Sequence, residues 1–263
     1  MDLGIKNKVA LVTAASQGLG KASAIELANE GVKLAICSRD QDKINQTAEE
    51  IQNLTGGEVL AVKADLDSTD DIENLIKEIE NKFNTVDILV NNTGGPKAGF
   101  FDDLSDEDWL KTFESTFLSA VRVTRKVLPF MKKNKWGRII NISSVSAKQP
   151  IDNLMLSNGV RMSIHGWAKT LSNQVASDNI LINNVCPGFT HTERVDGLIK
   201  AQLKNSNSSR EDIIESIASD IPAKRVGQAE ELAALVTFLS SEKASYITGQ
   251  SIAVDGGISS LPI

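Results

Sequence analysis

The stretch Thr13-Ala14-Ala15-Ser16-Gln17-Gly18-Leu19-Gly20 lies between a short apolar run, Lys8–Thr13, and a helix-length segment, Leu19–Asn29. A strand, a tight glycine-containing turn and a helix N-terminus together form an anion site, because backbone N–H groups and the helix dipole both favour negative charge there. Glycine in the turn lets the backbone approach a phosphate closely. The pattern predicts the first βαβ unit of a nucleotide-binding domain, with a pyrophosphate held by the turn.

The same alternation of strand and helix continues along the chain. The apolar runs are nearly continuous, which is typical of strands covered on both faces of a sheet. The predicted strands are Lys8–Thr13, Val32–Ser38, Glu58–Ala64, Val86–Asn91, Arg138–Ser143, Ile180–Val185 and Gln250–Val254. The predicted helices are Leu19–Asn29, Gln41–Leu54, Asp70–Phe83, Asp106–Lys132, Leu154–Ser177 and Ala229–Ser240. We therefore expect one α/β domain over residues 1–263, built on a Rossmann-type, doubly wound, parallel, seven-stranded sheet with helices on both faces.

Helix start signals support these boundaries. Ser68 with Asp71, and Ser105 with Asp108, have the spacing of a capping box, in which two backbone N–H groups are satisfied reciprocally.

One segment breaks the alternation, because His191–Pro222 is polar, with Ser and Asn residues and short helical pieces. A connection of this length in a compact domain is usually functional, so we expect residues 190–222 to form a substrate lid.

Composition restricts the class of protein. The 263 residues are 41% hydrophobic and 24% charged, and the formal net charge of −6 argues against a general nucleic-acid binder, which needs clustered Lys and Arg. No apolar run approaches the roughly 20 residues of a membrane span, and Met1–Val9 lacks the apolar segment of a signal peptide. Cys37 and Cys186 lie far apart without disulfide or metal-ligand spacing, and we expect both to be buried. These features predict a cytoplasmic protein with no metal site and no nucleic-acid or membrane partner.

The end of the second predicted strand, Cys37-Ser38-Arg39-Asp40, indicates which nucleotide is bound. NAD sites place an acid at this strand end for the ribose 2′-hydroxyl, whereas here an arginine follows the strand. The guanidinium of Arg39 can bind a 2′-phosphate, and the Ser38 hydroxyl can donate a further hydrogen bond to it. Asp40 is better interpreted as the N-cap of the next helix. The alternative is that Arg39 is a solvated surface charge. We predict NADP(H) rather than NAD(H) as the cofactor.

Motifs over essentially the whole chain resemble those of the short-chain dehydrogenases/reductases. The turn at Thr13–Gly20 is similar to the family's Thr-Gly-x-x-x-Gly-x-Gly, with Ala14 in place of the first glycine. Further matches are Asp65 after the third strand, Asn91-Asn92-Thr93-Gly94, Asn141-Ile142-Ser143-Ser144, Pro187-Gly188-Phe189-Thr190-His191-Thr192, Arg225-Val226-Gly227, Ser245–Gln250 and Val254-Asp255-Gly256-Gly257. The resemblance and the two strand-end motifs give as cofactor-binding residues Thr13, Ser16, Gln17, Gly18, Leu19, Gly20, Ser38, Arg39, Asp65, Leu66, Asn91, Thr93, Gly94, Arg161, Pro187, Gly188 and Thr192.

The catalytic positions implied by the resemblance are altered. The family uses a Ser, a Tyr thirteen residues later, a Lys four further on and a helix Asn. Ser144 is retained, but the other three positions hold Ser157, Arg161 and Thr116. The motifs Asn-Asn-Thr-Gly-Gly-Pro and Leu-Ser-Asn-x-x-Arg resemble a divergent subgroup near the 3-oxoacyl-acyl-carrier-protein reductases. The candidate catalytic residues are therefore Ser144, Ser157, Arg161 and Thr116.

The replacements limit the available proton chemistry. Arg161 stays charged to a pH above about 12, so it serves as a fixed positive charge rather than a proton donor. Ser157 can position a water. His165 shares a helix face with residues 157 and 161, but we interpret it as a core histidine. His191, in the predicted lid, is the better stand-in acid, whereas Tyr246 lies in the C-terminal segment and is no obvious substitute.

These features favour an NADP(H)-dependent reductase that acts on a small carbonyl compound, such as a 3-oxoacyl or sugar substrate. One alternative is conjugate (enoyl-type) reduction, in which Arg161 or Ser144 only has to stabilise an enolate. Another is a catalytically inactive nucleotide-binding or sensory protein, because a fold never proves an activity. The resemblance also implies a homotetramer or homodimer that shares the helices Asp106–Lys132 and Leu154–Ser177.

Overall fold

A computed structural model describes residues 1–203 and 209–260. Within them, seven parallel strands form one sheet in the order β3-β2-β1-β4-β5-β6-β7. The strands are β1 Val9–Val12, β2 Lys33–Ser38, β3 Val59–Lys63, β4 Ile88–Asn91, β5 Gly137–Ile142, β6 Ile180–Pro187 and β7 Ser251–Val254. The predicted doubly wound sheet is confirmed, and the strand order reverses between β1 and β4, where such folds bind their ligands.

Helices cover both faces of this sheet. They are α1 Gly18–Asn29, α2 Gln41–Thr55, α3 Thr69–Phe83, α4 Asp106–Thr112, α5 Ser119–Asn134, α6 Met155–Val175, α7 Glu193–Leu203, α8 Arg210–Asp220 and α9 Ala229–Leu239. Neighbouring residues of β1 point to opposite faces, so Ala10 packs into the core beneath α1, α2 and α9, and Leu11 into the core beneath α3, α5 and α6. Burial on both sides explains why the strand sequences are apolar without alternation.

The predicted helix starts are confirmed. The Ser68 hydroxyl accepts the Asp71 N–H at 3.2 Å, and the Ser105 hydroxyl accepts the Asp108 N–H at 3.2 Å. Asp40 caps α2 by accepting the Lys43 N–H at 3.1 Å. Cys37 and Cys186 are both buried free thiols, as expected.

The helix predicted over Asp106–Lys132 is helical throughout and extends to Asn134, but it contains a π-helical turn, Phe113–Leu118, between α4 and α5. Aromatic packing accompanies the turn, since the Phe117 ring meets the Trp167 ring of α6 edge-on at 6.1 Å between centroids. Strand β6 also extends beyond the predicted Val185 to Pro187, because the Pro187 position pairs with Val254 of β7. Helix α6 ends at Val175, and the predicted last residues continue as the 3₁₀ turn Ala176–Asp178.

The predicted lid contains two helices, α7 and α8. They share a small apolar cluster of Val195, Ile199 and Ile213, separate from the two main cores. Residues 204–208 of the lid, and residues 261–263 at the end of the predicted domain, lie outside the described residues. Among residues 1–203 and 209–260, the helices are too short or too polar to cross a membrane.

Candidate functional site

A cleft of about 890 Å³ opens at the carboxyl ends of the strands. It runs across the point where the strand order reverses, which is the usual ligand position in an open parallel sheet. The predicted residues that line it are Ser16, Gln17, Gly18, Leu19, Ser38, Arg39, Asp65, Leu66, Thr93, Gly94, Ser144, Ser157, Arg161, Pro187, Gly188 and Thr192. The fold thus brings residues from nearly the whole chain into one cavity.

The turn after β1 is tightly built. Gly18 adopts a φ of +57°, and a Cβ on Gly20 would meet Asn92 Nδ2 at 2.6 Å and the Ala14 carbonyl oxygen at 2.7 Å. The Asn92 amide donates to that same Ala14 carbonyl at 3.1 Å. Ala14 itself has a φ of +46°, in the left-handed region that favours glycine. Asn92, which belongs to the motif Asn91-Asn92-Thr93-Gly94, therefore braces this turn, a function that the motif alone did not predict.

Three predicted cofactor residues lie behind the wall of the cleft rather than on it. The buried Thr13 hydroxyl donates to the Asn92 carbonyl at 2.7 Å, which ties the end of β1 to the end of β4. The buried Asn91 amide donates to Asn141 Oδ1 at 2.9 Å. Gly20 provides the space that Asn92 fills. Thr13, Gly20 and Asn91 therefore support the wall instead of lining it.

The end of β2 presents two cations to the cleft. Arg39 is exposed on the wall, and Lys43, in the first turn of α2, also lines the cavity with its Nζ 3.9 Å from Asp40 Oδ2. The Ser38 hydroxyl donates to the Asp40 carbonyl at 2.9 Å, so its proton is engaged within its own turn. Lys43 was not predicted, although its place three residues after the helix cap puts it beside Arg39.

The end of β3 is acidic. Asp65 Oδ1 accepts the Asp67 N–H at 3.1 Å, which closes a tight turn, and both residues line the cleft. Burial, followed by the negative charges of Asp65 and Glu114, raises the pKa of Asp67 above its ordinary value. This wall therefore carries hydrogen-bond acceptors, while the wall at β2 carries cations.

Three serines meet beside the end of β5. Ser144 Oγ accepts the Ser146 N–H at 3.1 Å, and Ser146 Oγ lies 2.8 Å from Ser157 Oγ. Ser157 is only 5% exposed and lies on the first turn of α6. Ser144 and Ser157 thus line the same cleft, as the motif spacing predicted, whereas nothing in the sequence pointed to Ser146.

Arg161 lies one turn further along α6 and is 7% exposed. Its Nη1 donates to the carbonyl oxygens of Ile142 and Ser143, each at 3.0 Å. The two bonds fix a positive charge at the end of β5, where the guanidinium lines the cleft. An arginine suits this place because it stays charged while buried.

The remaining candidates are not on the wall. Thr116 is buried within the π-helical turn, and the preceding Ser115 lines the cleft instead. His191 donates its backbone N–H to the Gly227 carbonyl at 2.9 Å and does not line the cavity. The only tyrosine, Tyr246, is fully exposed away from the cleft. The described residues that line the cleft include no histidine and no tyrosine.

His165 lies behind the cleft, in agreement with its interpretation as a core histidine. Its Nε2 is 2.9 Å from Ser143 Oγ and 3.6 Å from Cys186 Sγ. Burial, followed by the charges of Lys148 and Arg161, lowers its pKa from 6.5 to about 4. The ring is therefore neutral at pH 7 and joins α6 to β5 and β6.

We use the name substrate end for the part of the cleft lined by Lys97, Asp108, Lys111, Ser144, Ser157 and Arg161. The first residues of the predicted lid, Thr192, Glu193 and Val195, also line the cleft. A Cβ on Gly18 would lie 3.4 Å from Glu193 Oε2 and 3.6 Å from Thr192 Cγ2, so the start of α7 packs on the turn. Gly188 is also tightly placed, since a Cβ there would lie 2.8 Å from Asp255 Cα.

Known proteins resemble this chain over the whole fold. The family model described as "Enoyl-(Acyl carrier protein) reductase" matches residues 13–259. The NADPH-dependent reductase BacG of Bacillus subtilis is 36% identical over 254 residues, covering 96% of this chain and 98% of that protein. The 3-oxoacyl-[acyl-carrier-protein] reductase FabG of Staphylococcus epidermidis is 32% identical, covering 96% and 99%. The crystal structure of L-sorbose reductase from Gluconobacter frateurii, complexed with NADPH and L-sorbose, has a TM-score of 0.95 at 32% identity, covering 99% of this chain and 100% of that chain.

Proposed function

The chain belongs to the short-chain dehydrogenase/reductase family, and on that premise we propose that it uses NADP(H) to reduce a small carbonyl compound. The observation that carries the proposal is one continuous cleft, which joins the turn at Gly18 and the cation Arg39 to Ser144, Ser157 and Arg161. When bound, the cofactor would supply the hydride, while the protein supplies orientation and electrostatics. A 3-oxoacyl, sugar or related carbonyl compound is the substrate class that we propose.

The residues of the cleft fit a phosphorylated dinucleotide. The turn at Gly18 opens α1, and no acid occupies the first turn of that helix, so its N–H groups favour a pyrophosphate. The close approach of Gly20 to Asn92 keeps this turn narrow. Arg39 provides the positive charge that a 2′-phosphate requires, and Lys43, which lies 3.9 Å from the Asp40 carboxylate, supplements it. The names of BacG and of the sorbose reductase complex, which both mention NADPH, support this preference.

The protein's own side chains have separate tasks in this proposal. Ser144 orients the substrate oxygen by a hydrogen bond from its hydroxyl. The hydroxyl pair of Ser157 and Ser146 holds a water that can deliver a proton to that oxygen. Arg161, fixed by two backbone carbonyls, stabilises negative charge that develops on the oxygen, and a preorganised charge of this kind is effective in a site shielded from water.

Conjugate (enoyl-type) reduction is a second candidate, and one observation favours it. The described residues that line the cleft include neither tyrosine nor histidine, so a strong general acid for an alcohol oxygen is lacking there. General acid catalysis typically contributes roughly 10²–10⁴-fold. In conjugate reduction Arg161 and Ser144 only have to stabilise an enolate, which is later protonated on carbon by water.

One experiment separates these candidates. NADPH and NADH binding are first measured by fluorescence titration, and NADPH oxidation is then followed with matched pairs of a saturated ketone and its α,β-unsaturated analogue. An alcohol product from the saturated ketone supports carbonyl reduction, whereas a saturated ketone product from the enone supports conjugate reduction. Tight NADPH binding without turnover across a broad panel contradicts both and favours a non-catalytic nucleotide-binding protein.

A further inference from the structure

The charges at the substrate end are unbalanced. Asp108 is the only acid among the described residues that line this end, and its carboxylate is already engaged. Lys97 Nζ lies 2.9 Å from Asp108 Oδ2, and the same oxygen accepts the Ser105 N–H at 3.2 Å. The bond from Lys97, followed by the Ser105 N–H, lowers the pKa of Asp108. The Lys97–Asp108 pair therefore contributes almost no net charge to the cavity.

Lys111 lies one turn beyond Asp108 on α4 and also lines the cleft. Its ammonium has no hydrogen bond or ion pair with any residue in 1–203 or 209–260. Asp108, three residues earlier on the same helix, pairs with Lys97 instead. Lys111 is thus an exposed cation that lines the cleft, while Asp108 and Glu114, each three residues away on the helix, are already paired with Lys97 and Arg122.

The floor of the substrate end is positive as well. Arg161 is held there by the Ile142 and Ser143 carbonyls. Behind it, Lys148 donates to the Ser251 carbonyl at 2.9 Å, and the charges of Lys148 and Arg161 both depress the pKa of the nearby His165. Two acids lie near this region: Asp255, which interacts electrostatically with Lys148, and Glu193, which lies against Gly18 on the cofactor side.

The lining of the same cleft includes the apolar side chains Val145, Ile151, Leu154 and Phe189. A bound molecule could therefore place a hydrocarbon body against these side chains and its polar groups at the cations. Low-dielectric walls between like charges concentrate a positive potential, which attracts anions. A neutral substrate would gain no attraction from this positive potential.

We propose that the substrate is a small oxo acid, whose carboxylate is bound by Lys111 while its carbonyl or enone lies at Ser144 and Arg161. The inference rests on the proposed reductase function and names the substrate class for the same site. Lys111 is the residue that selects an acid over its neutral ester, because it is the unpaired charge on this wall.

The test compares oxo acids with their methyl esters. Wild-type protein, Lys111→Gln, Lys111→Arg and the control Lys77→Gln are mixed with NADPH and with 2-, 3- and 4-oxopentanoate or their methyl esters. Lys77 is an exposed lysine of α3 far from the cleft, so its substitution makes the same change in net charge. Binding is measured by saturation-transfer NMR, and kcat and KM are measured from NADPH oxidation.

We expect the wild type to favour at least one acid over its ester. Lys111→Gln should raise the Kd and KM for that acid about 3- to 10-fold and leave the ester unchanged. Lys111→Arg should retain most of the affinity, Lys77→Gln should behave as wild type, and added salt should shrink the difference.

Equal binding of acid and ester, equal losses for both in Lys111→Gln, or no binding of any oxo acid would overturn the inference. Equal turnover of ester and acid would support the reductase proposal and contradict the oxo-acid inference. Acid binding that depends on Lys111 without turnover would support a carboxylate site at Lys111 and contradict the reductase proposal.

Discussion

The hydroxyl of Ser157 lies 2.8 Å from the hydroxyl of Ser146, at the position where the family resemblance places a catalytic tyrosine. The Ser146 N–H in turn holds Ser144 Oγ at 3.1 Å. These contacts link the retained serine to the altered position through a third serine. In the proposed reaction this site polarises a carbonyl but provides no acidic phenol, and conjugate reduction therefore stands as an alternative to simple ketone reduction.

Restoring the missing acid should change the chemistry. The double substitution Ser157→Tyr with Arg161→Lys should raise ketone reduction at least 10-fold, because a phenol beside an ammonium is a competent proton donor. The rate of NADPH oxidation with a ketone measures the gain, and Ser157→Phe with Arg161→Lys is the control without a hydroxyl. Ketone reduction that stays at background while NADPH still binds would mean that the pocket is not shaped for a simple carbonyl.

Ala14 should carry backbone strain, because its φ of +46° lies in the left-handed region. A side chain there costs about 1–2 kcal/mol, while glycine loses about 0.5–1 kcal/mol in chain entropy. Ala14→Gly should therefore increase the free energy of unfolding by about 0.5 kcal/mol in urea titrations. Ala24→Gly in the middle of α1 should lower it by about 1 kcal/mol. A less stable Ala14→Gly protein would show that the turn is not strained.

The histidine behind the cleft should make stability depend on pH. Because folding lowers the pKa of His165 from 6.5 to about 4, the unfolded chain binds more protons between these values. The stabilisation from this residue is therefore complete above pH 6.5 and is lost as the pH falls towards 4. The wild type should lose about 2–3 kcal/mol more than His165→Asn over this window. The free energy of unfolding of both proteins is measured by urea titration at pH 7.5, 6 and 5. If the values for the wild type and His165→Asn changed in parallel, the lowered pKa of His165 would be refuted.

Assembly should involve α4 and α6, consistent with the sequence-based expectation of a homodimer or homotetramer. Leu110, Phe113 and Met162 are exposed apolar side chains on this side of the fold, 71%, 39% and 54% exposed. Burying such a surface against a second copy follows the closed symmetry of most oligomers. Met162→Glu should lower the mass measured by light scattering, and a wild-type monomer at micromolar concentration would contradict the expectation.

The sheet was predictable because its strands are buried on both faces, as Ala10, Leu11 and Val12 illustrate. Ser144, Ser157 and Arg161 were predictable as a group because motif spacing fixes which helix turn follows β5. The π-helical turn was not, since such turns are rare and occur as single turns inside α-helices. Lys111 could not be distinguished from a surface lysine, because the pairing of Lys97 with Asp108 appears only in three dimensions.

The ratio of the dissociation constants for NADPH and NADH, in the wild type and in Arg39→Ala, tests the central claim most directly. The wild type should prefer NADPH, and Arg39→Ala should lose about 1.5–3 kcal/mol towards NADPH and little towards NADH, because the guanidinium pairs only with the 2′-phosphate. Arg125→Ala, which removes an exposed arginine of α5, should leave both constants unchanged. Equal losses for the two cofactors, or a wild type that prefers NADH, would contradict the account.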